Sequence, residues 1–168
     1  VGIKGSGGLS PKAENADVRW KEAEFRVYRE FLYLLPVQPK PSDPAIRHWQ
    51  GQGPVSISEV DVALSARRRR GSGIKLACIE NSRFILDWRH KDRVMQPVSS
   101  RHNRTIKNLF QESGIPPWER RRLPFVYLGD KLVCIPGLAV ENAYAALGAE
   151  IGLEIDISGS HAGHFVRR

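Results

Sequence analysis

From Asp17 to Leu35 the chain reads DVRWKEAEFRVYREFLYLL, with Phe25 and Val27 set against Arg26 and Arg29. A helix competes for this stretch, but alternation rich in aromatic and β-branched residues favours strand. It predicts one strand, a tight reversal at Arg29–Glu30 and a second strand through Leu35. The next segment, PVQPKPSDP (Pro36–Pro44), can continue neither element and predicts an extended linker. Alternation resumes over residues 54–95, where PVSISEVDVALSA and GIKLACI predict strands separated by RRRRGSG (Arg67–Gly73). RFILDWRH (Arg83–His90) follows an Asn-Ser turn and completes a predicted β-meander.

The period changes at Arg104–Ser113, which predicts a helix. At about 100° per residue, Ile106, Leu109 and Phe110 share one face, and Arg104, Lys107, Asn108 and Gln111 the other. Gly114 suits the left-handed position after a helix, with Ile115 folding back on the last turn and Pro116 stopping it. Pro117 suits the first turn of a second, short helix, WERRR, which ends before Leu123–Pro124. Trp118 is the expected wedge beneath this joint. Phe125 and Tyr127 are expected in the core. PFVYLGDKLVCIPGL predicts a hairpin around Gly129–Asp130. VENAYAALGAE predicts a helical turn and IGLEIDI a final strand.

These elements predict an α+β fold, mostly antiparallel strands in a meander or partial barrel, with a short helix pair jointed by two prolines. Residues 1–16 are expected to be disordered or a remnant of cloning, and 158–168 a disordered tail. Residues 17–45 form the strand pair and linker, and 46–157 the main domain.

Charge narrows the function. The chain of 168 residues has 26 Lys and Arg against 18 Asp and Glu, a net charge of +8, which favours a polyanionic partner, nucleic acid first. Arg67–Arg70 reads either as a solvated loop or as a loop tip that grips phosphates. The two cysteines, Cys78 and Cys134, lie in apolar runs without a CxxC pair or Cys/His cluster, which argues against structural zinc. No run approaches the roughly 20 apolar residues of a membrane span, and the first residues carry no apolar signal core. The lack of an initiator Met suggests a fragment. SGGLS (Ser6–Ser10) follows no buried strand and precedes Pro11, so it reads as a decoy for a phosphate loop. His161 and His164 lack further ligands for a metal. No paired carboxylates, metal cluster or Ser/His/Asp set stand out by spacing; Glu112 and Glu119 fall either side of the proline joint, but solvent-facing capping roles explain them equally well.

The string IKNLFQESGIPPWERRRLPFVYLGDKLVCIPGL closely resembles the C-terminal domain of bacterial tRNA(Ile)-lysidine synthases. That family combines a Lys-Leu-Phe/Trp-Gln-Glu helix, Gly-Ile/Val-Pro-Pro-Trp, then Arg and Pro before a Gly-Asp/Glu hairpin and a closing Pro-Gly-Leu. The resemblance covers residues 84–157; AEFRVYREFLYLLP resembles the segment leading into the C-terminal region, and 36–83 match only loosely. It implies that Gly114, Pro116, Pro117, Trp118 and Pro124 build the structural motif. Arg104 and Lys107 are implied phosphate contacts, Arg120 a third, and Arg26 and Arg29 match basic positions upstream. Where the family has further basic residues, this chain has Thr105 and Asn108, and SSRHN replaces a glycine-rich turn; Arg101 could substitute for a missing charge. The family's enzymes adenylate a wobble cytidine of isoleucine tRNA with ATP, and lysine then displaces AMP. That chemistry belongs to an N-terminal domain with a Ser-Gly-Gly-x-Asp-Ser loop. The implied role of this chain is therefore non-catalytic: it holds the tRNA acceptor stem in a cytoplasmic ligase whose ATP and Mg are bound elsewhere. The competing readings are a generic basic RNA-binding module and a protein-docking module.

Overall fold

The computed structural model describes residues 17–20, 23–36, 44–80, 82–89 and 93–159. Residues 1–16 and 160–168, with the Ser6–Ser10 glycines, His161 and His164, and most of the Pro-rich linker lie outside the described residues, whereas Ser158, expected in the tail, ends the last strand, where it pairs with Ala63. The chain divides into two compact units, Val1–Lys40 and Pro41–Arg168. The first contains β1 (Asp17–Trp20), β2 (Ala23–Tyr28) and β3 (Phe31–Pro36), an antiparallel sheet in that order. Its β2–β3 reversal falls at Arg29–Glu30 as predicted, with Arg29 at φ 46. The expected first strand is in fact two, β1 and β2, which pair with each other.

The second unit runs through β4 (Arg47–Trp49), β5 (Val55–Ile57), β6 (Val62–Arg70), β7 (Ile74–Lys75) and β8 (Phe84–Asp87). Then come β9 (Val94–Met95), β10 (Arg104–Thr105), α1 (Ile106–Glu112) and α2 (Pro117–Arg120). β11 (Phe125–Leu128), β12 (Lys131–Ile135), β13 (Ala139–Val140) and β14 (Ile151–Ser158) complete it. A five-stranded sheet has the order β13-β12-β11-β8-β4, a four-stranded sheet β5-β6-β14-β7, and β9 pairs with β10. All strand pairs among the described residues are antiparallel and the sheets are open, so the α+β expectation holds and no closed barrel forms. The expected meander over 54–95 does not. β14 inserts between β6 and β7, and β8 belongs to the other sheet. A strand pairing across more than 80 residues leaves no local sequence signal.

The five-stranded sheet is buried on both faces. On β11, Val126 joins a core with Trp49, Leu64, Phe84, Leu86, Leu153 and Ile155, whereas Phe125 and Tyr127 join a second core with Ile106, Leu109, Phe110, Ile115 and Leu123. This explains why FVYL and KLVCI read as nearly continuous apolar runs: neither face meets water. A bulge opposite Val126–Tyr127 lets the consecutive residues Val133 and Cys134 both reach the first core. Cys134 and Cys78 are free thiols, and full burial pushes the Cys134 pKa up to about 12, which makes it a poor nucleophile. Gly129 (φ 59) opens the β11–β12 hairpin turn as predicted, and the Ala-rich segment forms a 3-10 turn at Asn142–Tyr144.

Candidate nucleic-acid interface

The corner made by α1 and α2 forms for local reasons. Thr105 caps α1: its hydroxyl accepts from the Asn108 N–H at 3.2 Å. Ile106, Leu109 and Phe110 are buried, while Lys107, Asn108 and Gln111 are exposed, matching the predicted faces. Gly114 takes φ 69, and the Ile115 and Gly114 N–H groups donate to the Phe110 and Gln111 carbonyls at 2.9 and 3.1 Å. This double closure is a Schellman end, which only a residue tolerant of left-handed backbone permits cheaply. Pro116 then caps α2, with Pro117 at its first position.

Three expectations about this corner are corrected. Arg104 is on β10, opposite Met95, not on the helix, because Thr105 ends the extended segment and starts α1. Trp118 is only half-buried; Ile115 and Leu123, at 4% and 1% exposure, fill the space beneath the joint. Glu119 is not a solvent-facing residue: it is 2% exposed and faces the Arg122 guanidinium at 3.9 Å. Arg122 in turn donates to the Val60 carbonyl, and the Trp88 indole donates to the Arg122 carbonyl. The pair thus ties α2 to the first core. No pattern of apolar residues marks it; the one sequence hint is the i, i+3 spacing of Glu119 and Arg122 in a short helix.

The cations predicted to touch RNA are distributed unevenly. Arg101 and Lys107 are exposed around the start of α1. Arg104 lies 3.9 Å from Glu112, with both side chains substantially in water. Such an exposed pair holds its cation weakly, so Arg104 stays accessible to solvent. Arg120 is engaged inside the corner: its Nε donates to the Ile115 carbonyl at 2.9 Å and its guanidinium lies 5.7 Å from the centre of the Phe110 ring. In the other unit, Arg26 is ion-paired with the buried Glu24 at 2.9 Å, and Arg29 lies over the Tyr28 ring.

Arg67–Arg70 are not a loop. They end β6 and pair in register with Glu154, Leu153, Gly152 and Ile151 of β14. Alternation sends Arg67 and Arg69 to one face, where both meet Glu154 at 3.0 Å and Arg67 also meets Asp156 at 3.2 Å. Burial pushes the Glu154 carboxyl up, but the hydrogen bonds and charge of Arg69 and Arg67 outweigh it and hold its pKa below the usual 4.5. A carboxylate depressed in the folded state adds stability above its ordinary pKa and loses it as pH falls through the folded value. Thermal unfolding followed from about pH 6 to about pH 3 is expected to show a falling midpoint, with a shallower fall in the double variant Arg67→Ala/Arg69→Ala. An identical slope in that variant would assign the acid lability to other carboxylates.

Comparison with known proteins places the segment that carries this corner. Residues 85–157 match the family model described as the TilS substrate C-terminal domain. A tRNA(Ile)-lysidine synthase of Coxiella burnetii is 34% identical over 94 residues, 56% of this chain and 21% of that protein. One of Shewanella woodyi is 29% identical over 153 residues, 86% of this chain and 33% of that protein. Residues 85–157 belong to the TilS substrate C-terminal domain family. A crystal structure of a TILS C-terminal domain aligns at 18% identity with a TM-score of 0.48, covering 70% of this chain and 99% of that one. The chain spans between a fifth and a third of the length of these two curated relatives. The TilS-matching segment carries the α1–α2 corner, Arg101, Arg104, Lys107 and Arg120, and supplies β14. It excludes β6, so half of the Arg67–Glu154–Arg69 network is contributed from outside the TilS match. Arg26 and Arg29 also lie outside it.

Proposed function

We propose that this chain is the tRNA-holding C-terminal portion of a tRNA(Ile)-lysidine synthase, and that its α1 surface touches the acceptor stem of isoleucine tRNA. The observation that carries the reading is the family match over residues 85–157, joined by relatives named tRNA(Ile)-lysidine synthase. The net charge of +8 supports a polyanionic partner. Duplex RNA is recognised chiefly through shape and backbone, so cations on a rigid element are better suited to an acceptor stem than stacking aromatics. In this reading the full-length enzyme is a cytoplasmic ligase that joins lysine to the wobble cytidine. ATP and its Mg are held outside these residues, and the present chain positions tRNA without catalysing. Among the described residues no group of three or more His, Cys, Asp or Glu side chains could hold a metal ion.

The test is binding of isoleucine tRNA across a salt series. Each phosphate neutralised contributes about 0.7–0.9 to the log–log slope, so Arg104→Ala/Lys107→Ala is expected to flatten the slope by roughly 1.5 and to weaken binding about tenfold. Neither side chain is in the core, so folding is preserved. Unchanged slope and affinity would remove these two residues from the interface. Equal affinity for an unrelated RNA duplex would replace the acceptor-stem reading with generic RNA binding, and docking onto a separately supplied catalytic domain without RNA would favour a protein interface.

A further inference from the structure

Arg68 escapes the network that neutralises its neighbours. Alternation along β6 puts it on the side of Val62 and Leu64, which face the first core, but beyond the end of that core. There it lines a cavity of about 520 Å³ together with Arg83, Gln50, Gln52, Ser82 and an apolar floor that includes Leu153. Leu153 is the cross-strand partner of Arg68. Arg67 and Arg69 are ion-paired. Among the described residues, Arg68 and Arg83 are not. Two guanidinium groups therefore line one concavity, with Glu80 as the acidic residue in the same lining.

Backbone contacts shape the walls. The loop bearing both glutamines is pressed onto the core at Gly51, which has φ 72 and where an added Cβ would come within 2.9 Å of Leu153 Cδ2 and 3.0 Å of Phe84 Cε2. The Trp49 indole donates to the Gly53 carbonyl at 3.3 Å and closes that loop. On the opposite side, the Ile79 and Ser82 N–H groups donate to the Leu76 and Ile79 carbonyls at 2.9 and 2.8 Å. The concavity thus presents two exposed guanidinium groups and two side-chain amides around an apolar floor. Arginine pairs suit phosphate oxygens, and a glutamine amide matches the donor and acceptor of adenine's exposed edge.

We infer that the Arg68–Arg83 cavity binds one nucleoside monophosphate unit, with phosphate on the two arginines and the base over Leu153 within reach of Gln50 and Gln52. The unit is either a free nucleotide or an unpaired nucleotide of a bound RNA. Only the second source rests on the RNA-binding function proposed above. The site is separate in sequence from Arg104 and Lys107, and Arg68 and Arg83 lie outside the TilS match.

The experiment titrates the full chain with adenosine 5′-monophosphate, followed by backbone amide NMR shifts, and repeats the titration with adenosine, inorganic phosphate and a single-stranded oligoadenylate. Shifts are expected at Gln50–Gln52, Ser82–Arg83 and Leu153. Loss of a bidentate arginine contact is expected to weaken the monophosphate about tenfold in Arg68→Ala and in Arg83→Ala, with partial recovery in Arg68→Lys. Adenosine should bind more weakly than its monophosphate. Oligoadenylate binding that depends on the same arginines identifies RNA as the source; monophosphate binding without it identifies a free nucleotide. Shifts mapping elsewhere, or affinities within twofold of the parent in both alanine variants, overturn the inference. Arg104→Ala/Lys107→Ala should leave monophosphate binding unchanged, so failure of the tRNA reading and failure of this one are told apart.

Discussion

Glu119→Ala is expected to lower the unfolding free energy by about 3–5 kcal/mol, because it strands a buried guanidinium rather than merely deleting a contact. Glu119 is 2% exposed and the Arg122 side chain 11%. Arg122 cannot swing out without abandoning the Val60 carbonyl, and its own backbone carbonyl accepts from Trp88. The penalty is therefore loss of the carboxylate that balances a largely buried guanidinium. Two further variants separate this cause from lost volume. Glu119→Gln keeps shape and an acceptor but loses the charge, and should fall between parent and alanine. Glu119→Leu/Arg122→Leu removes both charges and should recover much of the loss, since an apolar replacement of a whole buried pair is often neutral. Urea unfolding of the parent, Glu119→Leu, Arg122→Leu and the double variant Glu119→Leu/Arg122→Leu forms a double-mutant cycle. A coupling near zero would show that Glu119 matters for packing alone.

What could be read from the sequence was local. The apolar face of Ile106, Leu109 and Phe110, the left-handed Gly114, Pro117 at a helix start and the Gly129 hairpin each depend on residues within a few positions of one another. What could not be read was set by contacts distant in the chain. Arg67–Arg70 look like a loop because four adjacent arginines carry no alternation of their own; they are strand because β14, some 85 residues later, brings Glu154 and Asp156 to the alternate positions. Glu119 looks like a helix-start acid on the surface, and only the placement of Val60 and Trp88 shows that its turn faces inward. The candidate interface was legible in part. Lys107 stands where the helical period puts it. Arg104 is displaced by one cap residue, and Arg120 is drawn into the corner by the Ile115 carbonyl that the Schellman end leaves facing it.

Phe110→Ala is expected to cost about 3–5 kcal/mol, by lost burial together with the cavity left behind. The ring is 1% exposed and meets Phe125 edge to face, with centroids 6.3 Å apart and planes at 73°. It also carries the Arg120 guanidinium, while the Phe110 carbonyl accepts the hydrogen bond that closes α1. A seven-residue helix has little stability of its own, so α1 persists only while this face is packed. Loss of the ring therefore loosens the platform under Lys107, and tRNA affinity should fall in this variant although residue 110 faces away from the proposed RNA surface. Phe110→Leu keeps most of the apolar volume and should cost less than about 1.5 kcal/mol while retaining most of the affinity. Trp118→Ala supplies the decisive contrast. If Ile115, Leu123 and Phe110 fill the joint, the half-buried indole can be removed for less than the phenyl ring, despite its greater size. A larger loss in unfolding free energy for Trp118→Ala than for Phe110→Ala would make the indole the wedge of the corner after all.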